Sequence, residues 1–347
     1  MNVHADFDRL PDEEQTRRLM LLAEAAGAHW EGGFADLTLV KYRENAVFSA
    51  RRANGQRVAV RIHRYGYHSD AALTSELHWM RELAASGAVD VPPVVAAADG
   101  RLTIRVKHAA VSQPRQVSVL GWLTGAPVGT SEDGTDVSDA LVAKLYFDAG
   151  VVAAALHDAS RAMTIPADFV RHSWDEEGLI GDNPLWGQFL ELPTLTDAQR
   201  DLLRRATATA AEDLANFGKR DGSYGLIHAD LVPENLLNED GRLKLIDFDD
   251  AGYGWYMFEL ATALYFNVEH PSYSDIVRAL LAGYRSVRPL SDADVAQLPL
   301  FLFLRGTTYV GWVQSKPDTL TATTLGPMLT DRVCTMAEQY LASRAAG

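Results

Sequence analysis

Asp230, Asn235 and Asp247 are the side chains of this 347-residue chain whose types and spacing best fit joint chemistry. They lie in His228-Ala229-Asp230-Leu231-Val232-Pro233-Glu234-Asn235 and in Ile246-Asp247-Phe248-Asp249-Asp250, the second stretch closing an apolar run. A loop Asp, an Asn five residues on and another Asp twelve beyond that is a spacing suited to phosphoryl transfer. Such a reaction needs one carboxylate to take a hydroxyl proton. It also needs hard oxygen ligands for Mg²⁺, which neutralises the charge on the β- and γ-phosphates. The competing reading is an ordinary turn around Pro233, since Asp, Asn and Pro all favour turns.

These residues have to be positioned by a fold, and the pattern along the chain predicts one. Pro11 followed by Asp12, Glu13 and Glu14 opens a helix that Gly27 stops. Strands are expected at 37–42, 46–51 and 57–63, the last two joined by an Asn54-Gly55 turn, then a helix over 69–86 closed by Gly87. Further strands are expected at 94–98, 102–106 and 116–122. After a Gly-punctuated connection over 121–129 and a polar exit at 131–134, the pattern turns helical. Helices are predicted over 137–156, from the capping box at Thr196-Asp197-Ala198-Gln199 to Gly218, and over 256–268, 273–287, 292–313 and 325–343. The catalytic segment falls in a short β region, 226–246, with Asp247 directly after it. The reading is α+β, with a nucleotide-binding lobe at 1–122, an antiparallel sheet plus a helix, and a larger, mainly helical lobe at 123–347.

Composition narrows the function. With 47% hydrophobic residues the chain can fill a core, and a formal net charge of -14 offers no basic surplus for nucleic acid. One cysteine, Cys334, excludes an internal disulfide and favours a cytoplasmic setting. Apolar runs are too short to span a membrane.

With these motifs the chain resembles the aminoglycoside phosphotransferase-like kinases, which include choline kinases, type II homoserine kinases and a bacterial stress-response Ser/Thr kinase. The resemblance runs from about residue 37 to 268 and is most specific at His228-x-Asp230-x4-Asn235 with Ile246-Asp247-Phe248. It implies a bilobal protein-kinase-like fold with ATP and Mg²⁺ between lobes. It also implies Asp230 as catalytic base, and Asn235 and Asp247 as metal ligands; the chemistry of the residues assigns the same roles. His228 is expected to brace the loop.

On strand 57–63, Ala59 and Arg61 share one face, so Arg61 is the candidate phosphate-binding cation and Glu76, in the next helix, its partner. The family usually has Lys where Arg61 stands; a guanidinium still grips phosphate through two N–H groups. No Gly-rich loop lies between the first two strands, where Tyr42-Arg43-Glu44-Asn45-Ala46 stands instead. Backbone near Leu120 and Trp122 is the candidate adenine contact. Glu259 occupies a position where many relatives brace the loop with Asp.

Only about seven residues separate Asp247 from the following helix, and Ala229 stands where a protein kinase has its loop-sensing Arg. Both favour a small acceptor. Asp249, Trp174, Asp182 and Trp312 are candidate acceptor contacts, and acidic plus aromatic groups suit an amine-bearing molecule. The expected activity is transfer of the γ-phosphoryl group of ATP to a small-molecule hydroxyl. A Ser/Thr protein kinase and a nucleotide-binding pseudokinase are the alternatives, and the sequence is silent on oligomeric state.

Overall fold

The computed structural model describes residues 7–130, 134–135 and 139–345. The chain divides into two compact units, one of Met1–Thr124 with Thr164–Val170, the other of Gly125–Met163 with Arg171–Gly347. The polar exit expected at 131–134 falls largely outside the described residues.

In the first unit, Pro11 caps α1 (Asp12–Ala26), whose acidic first turn faces the positive dipole end. β1 (Ala35–Tyr42), β2 (Ala46–Arg51) and β3 (Arg57–Ile62) follow. Ser69 caps α2 (Asp70–Ser86) by accepting from the Ala72 amide at 3.1 Å, and Gly87 ends it with φ 64°. β4 (Thr103–Val106) and β5 (Arg115–Gly121) complete an antiparallel sheet of order β1-β2-β3-β5-β4. Alternation decides what each face of β3 does. Val58, Val60 and Ile62 enter the core with Leu19 and Leu22 of α1 and Val117 and Val119 of β5, while Arg61 turns to α2. The strand expected at 94–98 reduces to one bridge, Val94 to Leu120. Pro92 and Pro93, just before it, have no N–H to continue a ladder.

The second unit opens with the short strands β6 (Ala126–Pro127), β7 (Gly129–Thr130) and β8 (Gly134–Thr135) and the long helix α3 (Asp139–Ala162). β9 (Ser173–Trp174), α4 (Glu176–Ile180) and α5 (Asp197–Phe217) follow, α5 starting on the predicted capping box. Then come β10 (Tyr224–Ile227), β11 (Leu236–Glu239), β12 (Arg242–Leu245) and β13 (Gly252–Trp255). Strands β12-β11-β6 and β10-β13-β9 form two small sheets. Helices α6 (Tyr256–Tyr265), α7 (Tyr273–Val287), α8 (Asp292–Val295), α9 (Leu298–Ser315) and α10 (Leu320–Ala345) end the chain. The single helix expected over 292–313 is two, because Pro299 starts α9 afresh at its first turn. α3 and α7 cross with almost no space between backbones. A Cβ on Gly150 would come within 2.1 Å of the Leu280 carbonyl, and one on Gly283 within 1.9 Å of the Phe147 carbonyl.

Candidate active site

The loop between β10 and β11 carries Asp230, and its backbone is fastened at several points. Ala229 sits at φ +63°, a strained conformation for a residue with a Cβ. Fully buried Glu259, on α6, holds that conformation by accepting the His228 and Ala229 amides, both at 2.8 Å. The longer side chain thus does brace the loop. His228 braces it too: its Nδ1 accepts the Asp230 amide at 3.3 Å, so Nε2 carries the hydrogen and donates to the Ile246 carbonyl at 3.0 Å. That bond ties the Asp230 loop to the Asp247 segment. Burial alone would raise the Glu259 carboxyl, but His157 and His228 around it hold it below the usual carboxylate range. His157 itself is buried, pushed down by burial, 3.8 Å from Glu259 and hydrogen-bonded through Nδ1 to the Tyr284 hydroxyl at 2.9 Å.

The Asp230 carboxylate is gripped from both sides. Asn235 Nδ2 donates to Oδ2 at 2.8 Å and to the Asp230 carbonyl at 2.9 Å, while Arg305 Nη2 donates to Oδ1 at 2.8 Å. The side chain keeps 21% of its surface exposed, so a hydroxyl can reach it. Burial pushes this carboxyl up, with the charges of Asp247 and Glu234 adding and those of Arg305 and His228 opposing.

Asn235 is buried, and with Nδ2 spent on Asp230 its Oδ1 is left to act as an oxygen ligand. Asp247 is exposed at φ +68° and accepts no hydrogen bond from the described residues. One carboxylate and one amide oxygen suit Mg²⁺, which keeps several waters and leans on substrate phosphates rather than on a full protein cage. Among the described residues no cluster of three or more His, Cys, Asp or Glu could hold a metal without such help.

The segment after Asp247 is held by Arg171, which donates to the carbonyls of Ala251 at 2.5 Å and Asp249 at 2.6 Å. Asp250 is half-buried and accepts the Trp186 indole N–H at 3.1 Å. Its carboxyl is pushed up to about 8, chiefly by burial and then by the charges of Asp230 and Asp249. Asp230, Asp247, Asp249 and Asp250 therefore share one electrostatic neighbourhood.

Of the candidate acceptor contacts, Trp174 needs correcting. Pairing of β9 with β13 turns its indole into the core, 0% exposed, stacked 5.7 Å from Phe258 and donating to the Asp250 carbonyl at 2.8 Å. Trp186 instead reaches a carboxylate, through its indole N–H on Asp250. Asp249 is buried at 5% exposure, Asp182 is exposed on the loop after α4, and Trp312 is half-buried on α9 with Lys316 Nζ 5.4 Å from its ring. Arg171 and Arg305 were not singled out from sequence. Arg305 had a visible signal, being the one charged residue in the otherwise apolar stretch Leu298–Ser315.

In the first unit, Arg61 Nη1 meets Glu76 Oε1 at 2.8 Å, with side chains 5% and 0% exposed. The turn at 43–45 between β1 and β2 is short, and Asn45 Oδ1 accepts the Arg64 amide at 3.1 Å. Leu120 is buried in β5. The Gly121 and Trp122 amides donate to the Pro93 carbonyl at 2.7 Å and the Arg57 carbonyl at 3.2 Å, and Arg57 lies 3.7 Å over the Trp122 ring. Those two N–H groups are thus occupied within the unit.

Known proteins share this fold. The solved structure of a microcompartment-associated aminopropanol kinase is 34% identical, covers 93% of this chain and 98% of its own, and superposes with a TM-score of 0.81. Amicoumacin kinase of Bacillus subtilis is 25% identical over 331 residues, 92% of this chain and 90% of its own length. An amicoumacin kinase solved with AMP-PNP and Ca²⁺ shares the fold at 21% identity and a TM-score of 0.73, covering 94% of this chain and 96% of its own. The profile of the phosphotransferase enzyme family matches residues 39–290, and the chain belongs to that family.

Proposed function

We propose that this protein uses ATP and Mg²⁺ to phosphorylate the hydroxyl of a small amino alcohol. The observation that carries the reading is a partly exposed carboxylate, Asp230, held on both oxygens beside an Asn and an Asp with unspent oxygen ligands. Likeness to the aminopropanol and amicoumacin kinases supports it, as does the AMP-PNP and Ca²⁺ bound by the latter.

In this reading the acceptor hydroxyl loses its proton to Asp230 as its oxygen forms a bond to the γ-phosphorus. The bond from that phosphorus to the bridging oxygen breaks, and ADP leaves with the electron pair. Asn235 and Asp247 would hold Mg²⁺, which when bound supplies neutralisation of phosphate charge. Arg61, fixed by Glu76, grips phosphate oxygens. Adenine lies against the segment holding Leu120 and Trp122, recognised through carbonyls because the neighbouring N–H groups are occupied. Asp250 and Asp249 attract the acceptor's ammonium group, with Trp186 as wall, and Asp182 and Trp312 are the remaining candidate contacts. No described helix is long and apolar enough to cross a membrane, which fits a cytoplasmic enzyme.

The test is ADP release from MgATP with 1-amino-2-propanol, ethanolamine, choline and homoserine, beside matched alcohols lacking the amine. Saturable release with an amino alcohol, and none with the amine-free alcohols, is expected. Equal rates without any acceptor, or phosphate transfer to added protein instead, would remove this reading. Calorimetry of Asp247→Ala should show ATP binding that no longer responds to Mg²⁺.

A further inference from the structure

Arg305 lies outside every motif above, 75 residues along the chain from Asp230, yet it contacts the loop at two points. Nη1 donates to the Ala229 carbonyl at 3.1 Å and Nη2 to Asp230 Oδ1 at 2.8 Å, and Nη2 also reaches the Tyr309 hydroxyl at 2.6 Å. The side chain is 0% exposed, and its guanidinium lies 4.3 Å from the Tyr309 ring centre and 4.8 Å from that of Trp186. Its helix, α9, is itself buried along Leu300, Phe301, Phe303, Leu304 and Thr307. A guanidinium stacked between rings on a core helix has little freedom, so what it touches inherits its position.

The contacts fall where aim is decided. Ala229 is the strained residue immediately before Asp230, and one arginine fixes both that residue's carbonyl and the next carboxylate. With Asn235 on the other oxygen, rotation of the carboxylate about its Cβ–Cγ bond is blocked, and each oxygen retains a lone pair for an incoming hydroxyl. Trp186, which stacks on Arg305, also donates to Asp250. One indole thus contacts both Arg305 and the Asp250 carboxylate.

We propose that Arg305 is the positioning residue of the general base: it does not touch substrate, but fixes the direction in which Asp230 meets the acceptor hydroxyl. The inference rests on the phosphotransferase reading above. It assigns α9 a share in turnover rather than only in folding.

The experiment uses the full chain with MgATP and the fastest acceptor of the panel. Arg305→Ala should lower kcat by about 10²-fold with little change in acceptor KM, the cost of roughly an ångström of misplacement. Added guanidinium should restore part of kcat, which a merely structural defect would not allow, and Arg305→Lys should fall between parent and Ala. A thermal cycle runs alongside. Asp230→Asn should lower Tm by leaving Arg305 buried without its counter-charge, and adding Arg305→Met should recover much of that loss. A parent that turns over no panel member sinks the functional reading. An active parent whose Arg305→Ala variant keeps its kcat, or one not rescued by guanidinium although folded, sinks the inference alone. So does strict additivity in the thermal cycle.

Discussion

Each unit holds a buried arginine–carboxylate pair 2.8 Å long, and the two are built in opposite senses. In Arg61–Glu76 the carboxylate is wholly buried and the arginine keeps 5% exposure, whereas in Arg305–Asp230 the arginine is wholly buried and the carboxylate keeps 21%. The deeper partner in each is an anchor, and the shallower one is what the pair presents. One unit therefore offers an aimed cation, suited to phosphate, and the other an aimed anion, suited to a proton. Removing one member of a buried pair costs about 3–5 kcal/mol, because the other charge stays behind uncompensated. Stability should then suffer alike at both pairs, while function fails in different places.

The largest expected effect is at the presented anion. Asp230→Asn should reduce turnover by about 10² to 10⁴-fold, measured by coupled ADP release. Nucleotide affinity should stay near that of the parent. Glu76→Gln comes next: with the anchor gone, Arg61 loses its aim, and calorimetry should show MgATP binding weakened about tenfold while acceptor KM holds. If Glu76→Gln instead raises acceptor KM and spares ATP, the two pairs do not divide the labour as described.

The smallest effect concerns Asp250, which accepts an indole N–H from Trp186. Its folded pKa of about 8 lies above the ordinary carboxylate range. Between that range and about 8 the folded chain therefore keeps a proton that the unfolded chain has released, so stability falls as pH rises through this window. Asp250→Asn should flatten that slope in urea melts at stepped pH. Only the ionised carboxylate attracts an ammonium group, so the parent's KM for an amino alcohol should drop as pH rises from about 7 to about 8.5. A KM that ignores pH over this range would remove Asp250 from acceptor binding.

How much could be read in advance followed sequence distance. Asp230, Asn235 and Asp247 fall within one short β region, and Arg61 with Glu76 needed only the two-residue period of a strand and one helix beyond it. Helix ends were legible where a capping side chain or a left-handed glycine closes them, at Ser69, Thr196 and Gly87. Arg305 was missed because its partner is 75 residues away and its helix reads as plain core. β13 was missed because it is only four residues long and two of them are glycines, which weaken a strand signal. Its glycines fit instead the close approach of His172, where a Cβ on Gly252 would meet a carbonyl at 2.5 Å. Trp174 was misjudged for a related reason, since its burial is decided by pairing with that unseen strand.

The glycine crossing of α3 and α7 has a reach beyond packing. His157 on α3 and Tyr284 on α7 are joined by a hydrogen bond, and His157 abuts the glutamate that holds the His228 and Ala229 amides. A methyl group at position 150 or 283 would lever the two helices apart and pass that displacement, through imidazole and carboxylate, to the bend that carries Asp230. The setting of the Asp230 loop thus depends on two places where this chain carries only a hydrogen.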